Sequence, residues 1–218
     1  KHITALLARL NIPPGFENGC RYTDHDTLEA AEMVLSAQVN KAIVSTLKTL
    51  EVSAVGISGK DGGLLTAEYK DPAIGRVGNI TKVDPKELRT LMDADFLPVV
   101  SPIAGSSDGQ GFNCNADDAA RAIAEALGAD KLVFLTDIPG VLIDSHNEKT
   151  AVSQMDVKRA EEMIANGLIA GGMIPKVRGC IQAIQAGVGE VSILDGSMEH
   201  TLMLQMLHQK VQGTTITR

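Results

Sequence analysis

A lysine follows a pair of glycines in the segment Gly171-Gly172-Met173-Ile174-Pro175-Lys176. Glycines before a helix start let the backbone come close to a ligand and present free N–H groups to an anion. Lys176 would then lie in the first turn of the helix, where its charge opposes the helix dipole at a cost of about a few tenths of a kcal/mol. A nearby anion would remove that cost, so the pattern favours phosphate binding.

A second polar segment, Thr136-Asp137-Ile138-Pro139-Gly140-Val141, follows the apolar stretch Leu132–Leu135. The apolar stretch predicts a buried strand, and a Pro-Gly turn after a strand is an ordinary connection. An acidic residue at the carboxyl end of a strand, beside a tight glycine turn, also suits nucleotide recognition. The residues alone leave both interpretations open.

A third segment, Asn113-Cys114-Asn115-Ala116-Asp117, precedes an alanine-rich helix predicted for residues 116–127. Asn115 suits the N-cap of that helix. In a functional interpretation, the amides are neutral hydrogen-bond donors and Asp117 orients cationic partners. Ligands of open α/β sheets bind outside the carboxyl ends of the strands, and we place all three segments at such ends.

Helical and strand patterns alternate along the chain, which predicts an α/β fold over a largely parallel sheet. Asp24 or Asp26 can cap a long helix that reaches Leu47, and residues 53–58 read as a buried strand. The segment Gly56–Asp61 looks superficially like a P-loop but lacks the GxxxxGK[ST] spacing, so we interpret it as a hairpin turn.

The composition of the chain excludes several classes of function. The 218 residues are 44% hydrophobic and 22% charged, as in ordinary globular proteins. A net charge of −7 and the absence of tryptophan argue against nucleic-acid binding. We find no apolar run of about 20 residues, no signal peptide, and no histidine or cysteine spacing that would hold a metal. The sequence therefore predicts a cytoplasmic protein without a membrane or metal site.

Five segments, taken in order along the chain, carry a resemblance to a known family: Gly19–Asp24, Gly56–Gly62, Asn113–Asp117, Leu135–Val141 and Gly171–Val177. In these segments the chain resembles the amino acid kinase family, and within it the branch that phosphorylates N-acetyl-L-glutamate in arginine biosynthesis. The resemblance implies a three-layer αβα sandwich with a mainly parallel central sheet. It also implies an N-terminal lobe (1–130) that binds substrate and forms a dimer, and a C-terminal lobe (131–218) that binds nucleotide.

The resemblance also implies roles for single residues. The γ-phosphoryl group of ATP, with nucleotide-bound Mg²⁺, would pass to the side-chain carboxylate of N-acetyl-L-glutamate and form an acyl phosphate. Arg21 would pair with a substrate carboxylate and Asn113 with another polar group of the substrate. Lys176 would stabilise the phosphoryl group and Asp117 would orient the catalytic lysines. The nucleotide site would be lined by Thr136, Asp137, Ile138, Pro139, Gly140, Val141, Leu142, Leu168, Ile169 and Ala170.

Members of the family carry an N-terminal Lys-x-Gly-Gly strand end and a Gly-Gly-Gly loop, and Lys1 aligns immediately after that loop. We therefore expect little or no kinase activity from the 218-residue chain alone. The alternatives are a non-catalytic ligand-binding or regulatory fragment, or another amino acid kinase. A homodimer is expected from the resemblance, and a PII-type signalling protein stays an open alternative that no residue pattern supports.

Overall fold

The computed structural model describes residues 1–17, 19–143, 150–207 and 212–218. The chain forms two compact units, Lys1–Ala119 and Ala120–Arg218. Each contains helices together with parallel strand pairs, so the predicted α/β class is confirmed.

In the part of the chain that the structure describes, the strands of the first unit form a two-stranded parallel sheet, a small hairpin and a small closed barrel. Strands β3 and β6 pair in parallel, β1 and β2 form the antiparallel hairpin, and β4, β5, β8 and β7 close the barrel in that order. Its helices are α1 (His2–Arg9), α2 (His25–Glu32), α3 (Asn40–Thr49), α4 (Lys86–Asp93) and the start of α5 (Ala116–Leu127). Its strands are β1 (Phe16–Glu17), β2 (Cys20–Arg21), β3 (Ala54–Ser58), β4 (Leu65–Tyr69), β5 (Val77–Val83), β6 (Leu97–Ser101), β7 (Ile103–Gly105) and β8 (Gly111–Cys114).

The predicted long helix is continuous from α2 through a π-helical stretch (Met33–Val39) to α3. Asp24 is its N-cap and accepts a hydrogen bond of 2.8 Å from the N–H of Thr27, which lowers the pKa of the Asp24 carboxyl. Near the middle of the helix, the buried amide of Asn40 donates to backbone carbonyls of both β3 and β6, at 3.1 and 2.8 Å. These bonds fix the helix on the strand pair.

The segment that resembles a P-loop is a turn, as the sequence predicted, but the predicted hairpin is wrong, because β3 pairs with β6 while β4 pairs with β5 and β7. Residues Asp61–Gly63 form a single 3₁₀ turn, and β4 follows it instead of a helix. The N–H of Ser58 donates to the Asp61 carboxylate at 2.7 Å, and the N–H of Leu65 donates to the carbonyl of Gly59 at 2.7 Å. The loop is thus closed on itself by its own hydrogen bonds.

The second unit contains one four-stranded sheet in the order β10-β12-β11-β9. Strands β9 and β11 are parallel, β10 and β12 are parallel, and β11 and β12 are antiparallel. Its elements are β9 (Lys131–Thr136), β10 (Gln154–Asp156), α6 (Val157–Ala165), α7 (Met173–Gln185), β11 (Glu190–Asp195), α8 (Thr201–Met206) and β12 (Gly213–Thr217).

Helix α7 is held against the core of the second unit by one apolar face. That face carries five buried residues, and each buried aliphatic side chain of Val, Leu or Ile size is worth about 1.5–3 kcal/mol. The buried residues of α7 are Val177, Cys180, Ile181, Ala183 and Ile184. The first turn of α7 is consequently fixed in place relative to β9 and β11.

Among the described residues, no helix combines the length and the apolar composition that crossing a membrane requires.

Candidate functional site

A cavity of about 560 Å³ opens in the second unit beside the start of α7. Its walls are mostly apolar side chains and glycines, and Lys176 brings a positive charge to them. Cavities of this size, apolar with a few placed polar groups, are typical small-molecule sites. The lining residues are Ile138, Gly140, Leu142, Ile143, Gly167, Leu168, Ile169, Ala170, Gly172, Met173 and Lys176.

An open polar depression lies at the carboxyl ends of β9 and β11 and also contains Lys176. The register pairs Thr136 with Asp195, so both strands end at the same edge of the sheet. Lys176 therefore lines both the apolar cavity and the polar depression. A ligand with an apolar ring and an anionic tail would suit this combination. The depression is lined by Leu135, Thr136, Asp137, Lys176, Gly196 and Ser197.

The predicted nucleotide-site residues are divided among three environments. Ile138, Gly140, Leu142, Leu168, Ile169 and Ala170 line the cavity. Thr136 and Asp137 line the depression. Pro139 and Val141 are buried within the turn between them, so they anchor the turn and are not cavity walls.

The start of α7 differs from the expected row of free N–H groups. The N–H groups of Met173 and Ile174 donate to the carbonyls of Ala170 and Gly171 at 3.3 and 3.2 Å, and Pro175 has no N–H. The prediction of free donors is therefore wrong for this first turn. The segment also follows α6, not a strand as expected. Attraction for an anion here comes mainly from the Lys176 side chain.

The Pro-Gly turn after β9 is fixed against β12. Gly140 has a φ of +98°, and a Cβ there would lie 2.7 Å from the hydroxyl oxygen of Thr214. That hydroxyl accepts a hydrogen bond from the N–H of Val141 at 2.8 Å and donates to the carbonyl of Val152 at 2.6 Å. Only glycine fits both the backbone conformation and the close approach.

The substitution Gly140→Ala is expected to lower the free energy of unfolding by at least about 3 kcal/mol. About 1–2 kcal/mol is left-handed backbone strain, and the displaced Thr214 hydroxyl loses two hydrogen bonds of about 1 kcal/mol each. Gly128→Ala is the matched control, because Gly128 has a φ of +67° and open space at its Cβ position. Denaturant unfolding that gives equal losses for both variants would contradict this account.

In the first unit, Arg21 lies on β2, and one nitrogen of its guanidinium is already hydrogen-bonded within the chain. Its Nη2 donates to the Thr4 hydroxyl at 3.0 Å, and its Cζ lies 4.6 Å from the centre of the Phe16 ring. Within the described part of the chain, its Nη1 is buried and has no hydrogen-bond partner. Burial also lowers the pKa of Arg21. A partly desolvated guanidinium with an unpaired N–H is suited to gripping a carboxylate.

A buried threonine brings the two predicted substrate-binding residues into one network. The Thr23 hydroxyl donates to the carbonyl of Arg21 at 2.8 Å and accepts from the amide of Asn113 at 3.4 Å. The backbone of Arg76 joins Thr23 to Asn113, with bonds of 2.6 and 3.0 Å. Arg21 and Asn113 thus come together although they are far apart in the sequence.

The segment around Asn113 lies at the carboxyl end of a strand, as predicted, although the strand belongs to the small barrel and not to an open sheet. Asn113 and Cys114 are the last two residues of β8. Asn115 caps α5, since its side-chain oxygen accepts from the N–H of Asp118 at 3.0 Å. Asp117 is half-buried in the first turn of α5. Burial raises the pKa of the Cys114 thiol to about 12, so this thiol is protonated at neutral pH.

Within the described ranges, one set of three residues has ligand atoms close enough together to bind one metal ion. These residues, His25, Asp26 and Glu29, are exposed at the start of α2. His25 and Glu29 also line a polar cleft of about 360 Å³ in the first unit. Exposed acidic groups of this kind are common at helix starts. We assign no metal ligand to this chain.

Three residues of the Arg21 site were missed from the sequence. Thr23 stands two residues after Arg21, a spacing that places both side chains on one face of an extended segment. Phe16 pairs directly with Arg21 across the β1–β2 hairpin, and Thr4 comes from α1. Strands of two residues carry no readable periodicity, so only the Thr23 spacing could have been noticed.

The chain belongs to the amino acid kinase family, whose sequence pattern matches residues 1–195.

Relatives in this family are acetylglutamate kinases. The chain is 42% identical over 217 residues to the chloroplastic acetylglutamate kinase of Arabidopsis thaliana, covering 99% of this chain and 62% of that protein. It is also 42% identical over 228 residues to the acetylglutamate kinase of Carboxydothermus hydrogenoformans, covering 99% of this chain and 77% of that protein. The chain thus spans less than two thirds of the Arabidopsis relative.

Solved structures with the same fold include several amino acid kinase-like proteins. The smu.665 protein of Streptococcus mutans superposes with a TM-score of 0.79 at 29% identity, over 99% of this chain and 82% of that one. N-acetylglutamate synthase from Neisseria gonorrhoeae, complexed with coenzyme A and N-acetyl-glutamate, superposes with a TM-score of 0.82 at 25% identity, over 99% of this chain and 49% of that one. Giardia lamblia carbamate kinase bound to AMP-PNP, at 17% identity, gives 0.70 over 99% and 78% and shows the fold alone.

Proposed function

We propose that this chain belongs to an ATP-dependent kinase that phosphorylates the side-chain carboxylate of N-acetyl-L-glutamate in arginine biosynthesis. The observation that carries the proposal is the position of Lys176, which lines both an apolar cavity and the polar depression at the strand ends. The acetylglutamate kinases, 42% identical over 99% of this chain, support the choice of substrate.

The second unit provides the nucleotide side of the reaction. The apolar walls of the cavity hold the base and exclude water from it, and the depression at the ends of β9 and β11 receives the phosphates. Lys176 stabilises negative charge on the transferred phosphoryl group, the largest contribution that proteins make to phosphoryl transfer. Mg²⁺ arrives bound to the nucleotide and neutralises phosphate charge.

The first unit provides the acceptor side. Arg21 grips one carboxylate of the substrate through its unpaired Nη1 edge, and the Asn113 amide holds a second polar group. An oxygen of the other carboxylate forms a bond to the γ-phosphorus while the bond from that phosphorus to ADP breaks. A carboxylate is already ionised at neutral pH, so no general base is required. Asp117 is proposed to orient the catalytic lysines.

Other expectations from the sequence remain proposals. They include the substrate lobe at 1–130, the nucleotide lobe at 131–218, the homodimer and the cytoplasmic location. The Arabidopsis relative is described as chloroplastic, so location varies among such relatives. A PII-type partner stays without support.

The test of this function is a binding panel on the chain itself, measured by titration calorimetry. ATP and N-acetyl-L-glutamate are each expected to bind, while L-glutamate, L-aspartate and carbamate bind at least about tenfold more weakly, a difference of about 1.4 kcal/mol. Tighter binding of one of the other acceptors would assign the chain to a different amino acid kinase. Failure to bind ATP would contradict the proposal.

A further inference from the structure

We propose that Phe134 is a positioning residue for Lys176: its ring holds the lysine ammonium at the strand end through a cation–π contact. This inference rests on the proposed function, because that function gives Lys176 its role toward the phosphoryl group. The Nζ atom of Lys176 lies 5.3 Å from the centre of the Phe134 ring. Such contacts are effective within about 6 Å of the ring centre.

The ring lies on the face of β9 that carries the strand-end site. Phe134 and Thr136 are two residues apart, so their side chains share one face, separated by about 6.6–6.8 Å along the strand. Thr136 and Lys176 both line the polar depression. The ring therefore lies one strand repeat behind the depression.

The ring is fixed, whereas the lysine side chain is intrinsically mobile. Phe134 is 6% exposed and belongs to the apolar core of the second unit, opposite Ile193 on β11. Lys176 is half-buried at the end of the first turn of α7. Its four-carbon side chain loses much rotamer entropy whenever it is held in one place. Because the ring already restricts the ammonium before the ligand arrives, the lysine side chain loses less rotamer entropy when it binds a phosphate.

The chemistry distinguishes an aromatic ring from an apolar side chain of similar bulk. A leucine at position 134 would fill most of the core volume but offers no negative ring face. Fluorinated phenylalanines keep the shape of the ring while withdrawing the electron density that attracts the cation. A purely structural role would be insensitive to that withdrawal.

The test is a double-mutant cycle on the full chain, with Phe134→Leu and Lys176→Met, reading the affinities for ATP and adenosine by calorimetry. Phe134→Leu is expected to weaken ATP binding about 2- to 10-fold, which corresponds to about 0.5–1.5 kcal/mol for ordering one long side chain. Adenosine, which has no phosphates, should bind unchanged. In the Lys176→Met background, Phe134→Leu should add nothing. Leu132→Ala truncates another buried side chain on the same face of β9. It should leave the ratio of the affinities for ATP and adenosine unchanged.

Stepwise fluorination of the Phe134 ring gives a second measurement that does not depend on whether the Phe134→Leu variant folds. ATP affinity is expected to fall with each added fluorine while the thermal unfolding temperature stays constant. A flat series, or additive effects in the cycle, would overturn the role of Phe134. If Lys176→Met leaves the ATP affinity of the chain unchanged and also leaves the turnover of the natural protein that carries it intact, the proposed function fails instead.

Discussion

Replacing Lys176 with methionine is expected to lower kcat for phosphoryl transfer by about 10²–10³-fold, the usual loss when one transition-state donor is removed. The KM for N-acetyl-L-glutamate should change little, because Lys176 lines the nucleotide side of the reaction. Methionine keeps most of the side-chain length and removes only the charge. Steady-state kinetics on the natural protein that carries this chain give both parameters.

Two further variants make this prediction specific. Lys158 is exposed in the first turn of α6, so Lys158→Met removes a comparable charge outside the cavity and should leave kcat unchanged. Lys176→Arg keeps the charge and should recover part of the lost activity. If Lys176→Met raises the KM for ATP and leaves kcat intact, Lys176 is a binding group for ATP and not the transition-state donor proposed here.

Replacing Arg21 with alanine is expected to raise the KM for N-acetyl-L-glutamate by about 10²-fold. Hydrogen bonds to charged groups contribute about 1.5–3 kcal/mol, and a bidentate guanidinium–carboxylate pair lies at the upper end of that range. The loss should appear mainly in KM, because the proposed contact exists before and during phosphoryl transfer. The measurement is the substrate dependence of the initial rate at saturating ATP.

The matched control is Arg9→Ala, which removes an exposed arginine from the last turn of α1 in the same unit. It should leave KM unchanged. Arg21→Lys should restore little, because a lysine cannot make the bidentate contact. If Arg21→Ala and Lys176→Met lower kcat and raise KM to the same extent, their separate roles are wrong.

The elements around the proposed nucleotide site were predictable because the local sequence pattern and the tertiary structure agree there. The run of apolar residues from Leu132 gave β9, and the glycine near its end gave the turn held by Thr214. Asn115 was predicted as a helix cap and is one. Lys176 was predicted to lie in the first turn of a helix and does so in α7, although the N–H groups of Met173 and Ile174 donate to carbonyls of the preceding turn.

The contacts that orient the charged groups were not predictable, because they join distant segments. Phe134 and Lys176 are brought together because α7 packs into the same apolar core that contains Phe134. The Arg21 guanidinium is oriented by Thr4 from a separate helix and by Phe16 from a hairpin of two-residue strands. No periodicity links such residues along the chain. Residue types could therefore indicate the chemistry, while its orientation required the fold.

The most direct test of the central claim is a trap for the proposed product. The natural protein carrying this chain is incubated with Mg²⁺, ATP and N-acetyl-L-glutamate in the presence of hydroxylamine, which converts an acyl phosphate to a hydroxamate. The account predicts one N-acetylglutamyl hydroxamate for each ADP formed, and a rate of hydroxamate formation about 10²–10³-fold lower in Lys176→Met. ADP formation without hydroxamate, or hydroxamate from glutamate in preference to N-acetyl-L-glutamate, would contradict it.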